Sequence, residues 1–207
     1  MNFFRLINKI VKCKDYINNI FWQWYAMKYC KLTGVVFFDS NSVFFRGRCY
    51  LSISSTSRVS IGRNFCCNSG HGYGIETYSS KIYVAPGATL SIGDNTGISS
   101  ATISCQNRVQ IGSNVNVGGG TRIMDTNFHS LDWALRADRQ KDSLGIKTAP
   151  VVINDYAFIG ARCIIGKGVT IVEKTIIAAG SVVVKDIPAN CIAGGNPCKV
   201  IKFLKNE

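Results

Sequence analysis

The sequence predicts an all-β protein built as a parallel β-helix, a solenoid of short strands. Three observations carry that expectation. Aliphatic residues recur at every sixth position over a long stretch. Small or β-branched residues recur four positions after them. One charged segment breaks the order before it resumes. The 207 residues suit one domain with a short appendage and suffice to bury a real core.

The repeat is clearest over residues 151–187, "VVINDYAFIGARCIIGKGVTIVEKTIIAAGSVVVKDI". Ile153, Ile159, Ile165, Ile171, Ile177 and Val183 each follow the last by six, and Ala157, Cys163, Val169, Thr175 and Ser181 occupy the fourth place after each aliphatic. A period of six is neither the 3.6 of a helix nor the 2 of a plain strand. It fits a coil of three short sides, each a strand plus a tight corner, with one large aliphatic pointing inward. Coils stack at about 4.8 Å. The inward side chains form ladders, each worth about 1.5–3 kcal/mol when fully buried. The period continues backwards through Ile123, Val117, Ile111, Ile98 and Ile92, then degrades into β-like but irregular sequence at "YLSISSTSRVSIGRNF". Slips at Gly70–Tyr73 and Ser99–Asn107 predict small outward loops.

Residues 1–33 read differently. Leu6, Ile10, Cys13, Ile17, Phe21, Trp24 and Met27 have helical spacing, so an amphipathic helix or pair of helices is expected, ending before Thr33-Gly34. Charges at Arg5, Lys9, Lys12, Lys14 and Asp15 interrupt any apolar run of signal or transmembrane type. The stripe packs on the main domain in one reading. In the other, Phe21, Trp22, Trp24, Tyr25 and the lysines of residues 1–31 rest on a membrane surface. The solenoid then runs over 34–203, with a tail at 204–207.

The chain carries 24 Lys+Arg against 12 Asp+Glu, an excess that favours anionic partners. No nucleic-acid motif accompanies it, so nucleic acid is not expected as a partner. Nine cysteines, none in a CxxC pair, read as small apolar fillers in a reducing cytoplasm, and no metal site is expected.

The interruption covers 125–149, "DTNFHSLDWALRADRQKDSLGIKTA". It must leave the coil and return at Pro150, and loops leaving a rigid scaffold often carry function. One of only two histidines, His129, lies in it. His71, in "NSGHGYG", reads as an ordinary loop residue.

Three stretches carry a family resemblance: "IGSNVNVGGGTRIMDTNFHSLD", "IGARCIIGKGVTIVEKTIIAAGSVVVKDIPANC" and "AGGNPCKVIK". Together they cover about residues 90–203, and they resemble the hexapeptide-repeat acyltransferases, in particular the sugar O-acetyltransferases. The resemblance implies a left-handed β-helix, acetyl-CoA as co-substrate, and a homotrimer with each active site between two subunits. It implies His129 as the general base. It also implies coenzyme A contacts at Phe158, Ala161, Ala179, Val184, Lys185, Lys199 and Lys202. The sequence departs from the family at Asn127, where many relatives have an acid. It departs again at Ser99 and Ser100, near where maltose-type relatives have an asparagine.

The chemistry fits those residue types. A neutral imidazole takes the proton of a sugar hydroxyl as it attacks a thioester carbonyl. Backbone N–H groups, with those of "NVGGG" as candidates, stabilise the oxyanion. A carboxylate on the other ring nitrogen would set the tautomer, with Asp125 and Asp132 as candidates. The acceptor expected is a sugar or glycan precursor. Alternatives are an antibiotic, an amino sugar or serine, or a non-catalytic trimeric scaffold at the membrane surface. A zinc-dependent anhydrase on this fold would need three histidines, and the chain has two.

Overall fold

The computed structural model describes residues 3–70 and 78–205. Three parallel sheets run along a β-helix, and successive strands visit first, second and third face in turn. One circuit from residue 153 passes through Val151–Ile153, Phe158–Ile159 and Ile164–Ile165 before returning to the first face at Thr170–Ile171. The six-residue aliphatics are the rungs of the ladders. Ile61, Ile92, Ile111, Ile153 and Ile171 align on the first face. Ile98, Val117, Ile159 and Ile177 align on the second. Ile82, Ile103, Ile123, Ile165 and Val183 align on the third. All are essentially removed from water.

The corners explain the small residues. Three positions after each ladder residue the backbone turns left-handed: Tyr156 (φ 61°), Arg162 (58°), Gly168 (75°), Lys174 (57°) and Gly180 (74°). The next residue points inward, and there Ala157, Cys163, Val169, Thr175 and Ser181 are all buried. In earlier coils the corner after the first face is asparagine, at Asn64, Asn95 and Asn114 (φ 54–58°), the non-glycine type that best tolerates this conformation. Their side chains hydrogen-bond from coil to coil, Asn64 Nδ2 to Asn95 Oδ1 at 2.9 Å and Asn95 Nδ2 to Asn114 Oδ1 at 3.2 Å.

The fading of the six-residue period has a structural cause. Early strands are four residues long and turn two side chains inward, as in Arg58–Ile61, Lys81–Val84 and Thr102–Cys105. The slip at Ser99–Asn107 therefore makes no outward loop; it is a longer strand of the third face. Most of the Gly70–Tyr73 slip, His71 included, lies outside the described residues. Seven of the nine cysteines are buried. Burial pushes the Cys30 and Cys105 thiols up to about 12, which suits inert fillers.

A single helix, α1 (Phe3–Leu32), precedes the coils. Its last turns plug the open end of the core, burying Ala26 and Cys30 against Val43 and Phe45. The Gln23 amide stands in for a missing strand: Nε2 donates to Val43 O at 2.7 Å and Oε1 accepts from Phe45 N at 2.5 Å. Tyr29 Oη accepts from Ile53 N. Of the stripe read from the sequence, Met27 packs against the core. Ile17, Phe21 and Trp24 are exposed, because no coil precedes the one at Val36 to cover those turns.

Two substitutions test this architecture. Ile165→Asp places a charge within the third-face ladder and is expected to unfold the chain. Lys174→Asn relieves a left-handed corner and is expected to stabilise by about 0.5–1 kcal/mol. Thermal melts of both variants check the pair, and a harmless Ile165→Asp would contradict the assigned register.

Candidate functional site

The third-face strand Arg122–Met124 ends where the repeat is interrupted. The exit is held by a buried carboxylate. Asp125 is fully removed from water and accepts from the backbone N–H groups of Gln106, Asn107 and Arg108 at 2.8, 2.7 and 2.8 Å. The returning chain runs beside the leaving one, with a Thr126–Thr148 bridge and Ala149 N donating to Asp125 O. Between them lie a short helix, α2 (Trp133–Ala137), and a 3₁₀ turn, Asp142–Gly145.

His129 stands out from this loop. Its side chain is 67% exposed, and Phe128 before it adopts φ 63°, a costly conformation for an aromatic residue. His129 Nδ1 lies 2.5 Å from Asp142 Oδ2. A carboxylate only accepts, so the shared proton belongs on Nδ1, leaving Nε2 with a free lone pair. The other oxygen, Asp142 Oδ1, accepts from Ser130 N at 2.7 Å. Arg136 Nη1 donates to Ser130 O at 2.6 Å, so α2 braces the same residue. Gly145 packs so closely on Ser130 that a Cβ there would collide with its side chain. The His129 hydrogen bond, then the Ser130 amide, hold the Asp142 carboxyl below the usual range.

The carboxylate on His129 is thus Asp142, not Asp125 or Asp132. Asp125 spends its acceptors on the loop base. Asp132 caps α2, accepting from Ala134 N at 2.9 Å. An Asp before "WALRA" is a legible helix-start signal. Asp142 gives no such signal: it lies thirteen residues from His129, and only the folded-back loop joins them. Asn127 sits two residues before the histidine, and its Nδ2 is buried without a hydrogen-bond partner among the described residues.

The residues matched to coenzyme A contacts fall into two groups. Phe158 is exposed on the second face, and Ala161 and Ala179 lie one coil apart on the corner between second and third faces. Lys199 and Lys202 are exposed on the strand Lys199–Phe203, which closes the second face antiparallel to Cys191–Gly194. Val184 and Lys185 lie on the other edge of the third face, where the chain returns to the first. One chain therefore presents Phe158, Ala161, Ala179, Lys199 and Lys202 on the second face and its corner, and Val184 and Lys185 across the third face from them.

No family model matches the chain. The chain is 34% identical over 127 residues to the galactoside O-acetyltransferase of Escherichia coli, a match covering 61% of this chain and 60% of that protein. It is 38% identical over 128 residues to a putative acetyltransferase of Saccharomyces cerevisiae, covering 61% and 62%. The match thus spans about three fifths of the length of these curated relatives. A hexapeptide-repeat acetyltransferase from Vibrio cholerae, solved in complex with acetyl-CoA, superposes with a TM-score of 0.52 at 28% identity, covering 76% of this chain and 72% of that one. The fold is the left-handed β-helix.

The Asp142 carboxyl is expected to titrate below the ordinary aspartate value of about 3.9, and to move upward in His129→Ala. Because its folded value is lowered, the order it lends the loop is full at neutral pH and is lost as pH falls through that value. Carboxyl ¹³C shifts followed against pH check this, and an unchanged midpoint in the variant would break the assigned pairing.

Proposed function

Because the chain belongs to the hexapeptide-repeat acetyltransferase family, we propose that it is an acetyl-CoA-dependent O-acetyltransferase acting on a hydroxyl of a sugar or glycan precursor. The observation that carries this reading is the His129–Asp142 pair, held on the loop at 125–149 that interrupts the repeat. Asp142 places the proton on Nδ1, and Nε2 accepts the proton of the acceptor hydroxyl as its oxygen attacks. Acetyl-CoA, when bound, supplies the thioester carbonyl that is attacked. Asp142 then bears the opposite charge beside the imidazolium that forms, and Nε2 would return that proton to the coenzyme A thiolate as the C–S bond breaks.

The residues present suit that co-substrate. Ala161 and Ala179 keep the corner slim beside the exposed Phe158, as a narrow amide-bearing arm requires. Lys185, Lys199 and Lys202 are exposed and able to meet phosphates by charge. The spread of these residues across the third face favours a homotrimer in which each site draws on two chains. Neighbouring chains would then exclude water from the thioester. A cytoplasmic enzyme touching the inner membrane surface through residues 1–31 fits the exposed Tyr16, Ile17, Ile20, Phe21 and Trp24. No helix among the described residues is long and apolar enough to cross a membrane.

His129→Ala is expected to keep the fold and coenzyme A binding but cut turnover by about 10²–10⁴. Asp142→Asn should also cut turnover, by up to about 10⁴, because an amide there favours the wrong imidazole tautomer. Acetyl transfer to a panel of glycans, followed by mass spectrometry, measures both. Wild-type turnover in His129→Ala would sink the assignment. Subunit mixing tests the shared site: inactive His129→Ala and Ala161→Trp chains, reassembled together, should regain activity. Mixed assemblies that form but stay inactive would place the site within one chain.

A further inference from the structure

The third face carries a groove that the reading above leaves unassigned. Its floor is five outward side chains on consecutive rungs, Tyr50, Lys81, Thr102, Arg122 and Ile164, paired in register. Four intervals of about 4.8 Å make a trough roughly 19 Å long. One rim is the corner where Ser100, Gly120 and Arg162 follow one another in left-handed turns. The groove encloses about 770 Å³, within the range of small-molecule sites.

Its charge is one-sided. Lys81, Arg122 and Arg162 contribute three cations, and no described lining residue is a carboxylate. Neither Lys81 nor Arg122 forms an ion pair among the described residues. Like charges along one trough repel, and an anion lying there relieves that repulsion. The guanidinium fork of Arg122 matches phosphate geometry. Tyr50 offers an aromatic wall that is already braced. The Arg48 guanidinium lies 4.4 Å from the centre of its ring and 5.3 Å from that of Trp22 on α1. Cations beside an aromatic wall suit a sugar ring that bears phosphate. The position suits an acceptor as well, because the strand that presents Arg122 runs on through Asp125 into the loop of His129.

We propose that this groove binds the acceptor, and that the acceptor is a sugar carrying a phosphate or diphosphate group. The proposal rests on the acetyl-transfer reading for the word acceptor, and on the groove alone for the chemistry it selects. Calorimetric titration of the full chain tests it with four probes: UDP-glucose, glucose 1-phosphate, maltose and coenzyme A. At least one phosphate-bearing sugar should bind at least about tenfold more tightly than maltose. The tighter of the two identifies a nucleotide-linked or a simple phosphorylated sugar as the source. Arg122→Gln and, separately, Lys81→Gln should each weaken that binding about tenfold. Both side chains are exposed, so melting temperature and coenzyme A affinity should hold.

Three outcomes overturn the proposal. Neither phosphate-bearing sugar binds; maltose binds as tightly and ignores both substitutions; or coenzyme A affinity falls in step with sugar affinity, which would make the groove the co-substrate's own. Failure of the acetyl-transfer reading looks different, since coenzyme A would then not bind the unsubstituted chain.

Discussion

Every coil of this protein must lie one parallel-strand spacing from the next, about 4.8 Å, and that spacing governs what each position can hold. Inside, it brings like side chains into contact, so Ile153 rests on Ile111 and Ile171 on Ile153. At the corners it brings backbone against backbone. Gly112 is an example: a Cβ there would approach the backbone of Asn154 and Asp155 within 3 Å, and the coil could not close. Apolar burial and tight corners thus reinforce one another, and a charge in the ladder or a branch at a close corner disturbs several coils at once.

A solid interior leaves chemistry only to the outside. The ladders fill the rod, so any ligand lies on a face, at a corner or under a loop. The insertion at 125–149 stands away from the coils without joining a face. Its machinery is polar and local: Asp125 ties the exit to three backbone amides, and Asp142 joins the two halves of the loop at His129 and Ser130. Two buried or half-buried aspartates thus do different work. One holds the loop to the rod and the other fixes the His129 ring.

The same division separates the ends of the molecule. At the start, α1 substitutes for a coil, and its Gln23 amide satisfies the edge of Phe44–Arg46. At the end, the antiparallel strand Lys199–Phe203 covers the last strand of the second face. Both devices satisfy sheet edges that would otherwise invite pairing with other chains.

The spacing of aliphatics by itself determined the coil, its inward ladder and the place where the repeat stops, because a six-residue period admits few other structures. It also singled out His129, because the long interruption at 125–149 carries it amid acids and arginines. Tertiary structure decided the rest. Which carboxylate reaches His129 depends on how a 25-residue loop folds back; Asp125 and Asp132 were the candidates, and the fold brings Asp142. The helical stripe through Ile17, Phe21 and Trp24 left packing and membrane contact both open, because periodicity reports amphipathicity without saying what lies beneath; the fold leaves these three exposed. The third-face groove has no signature along the chain: Tyr50, Lys81, Thr102, Arg122 and Ile164 lie 20 to 42 positions apart and meet only because coils of unequal length still stack at equal spacing.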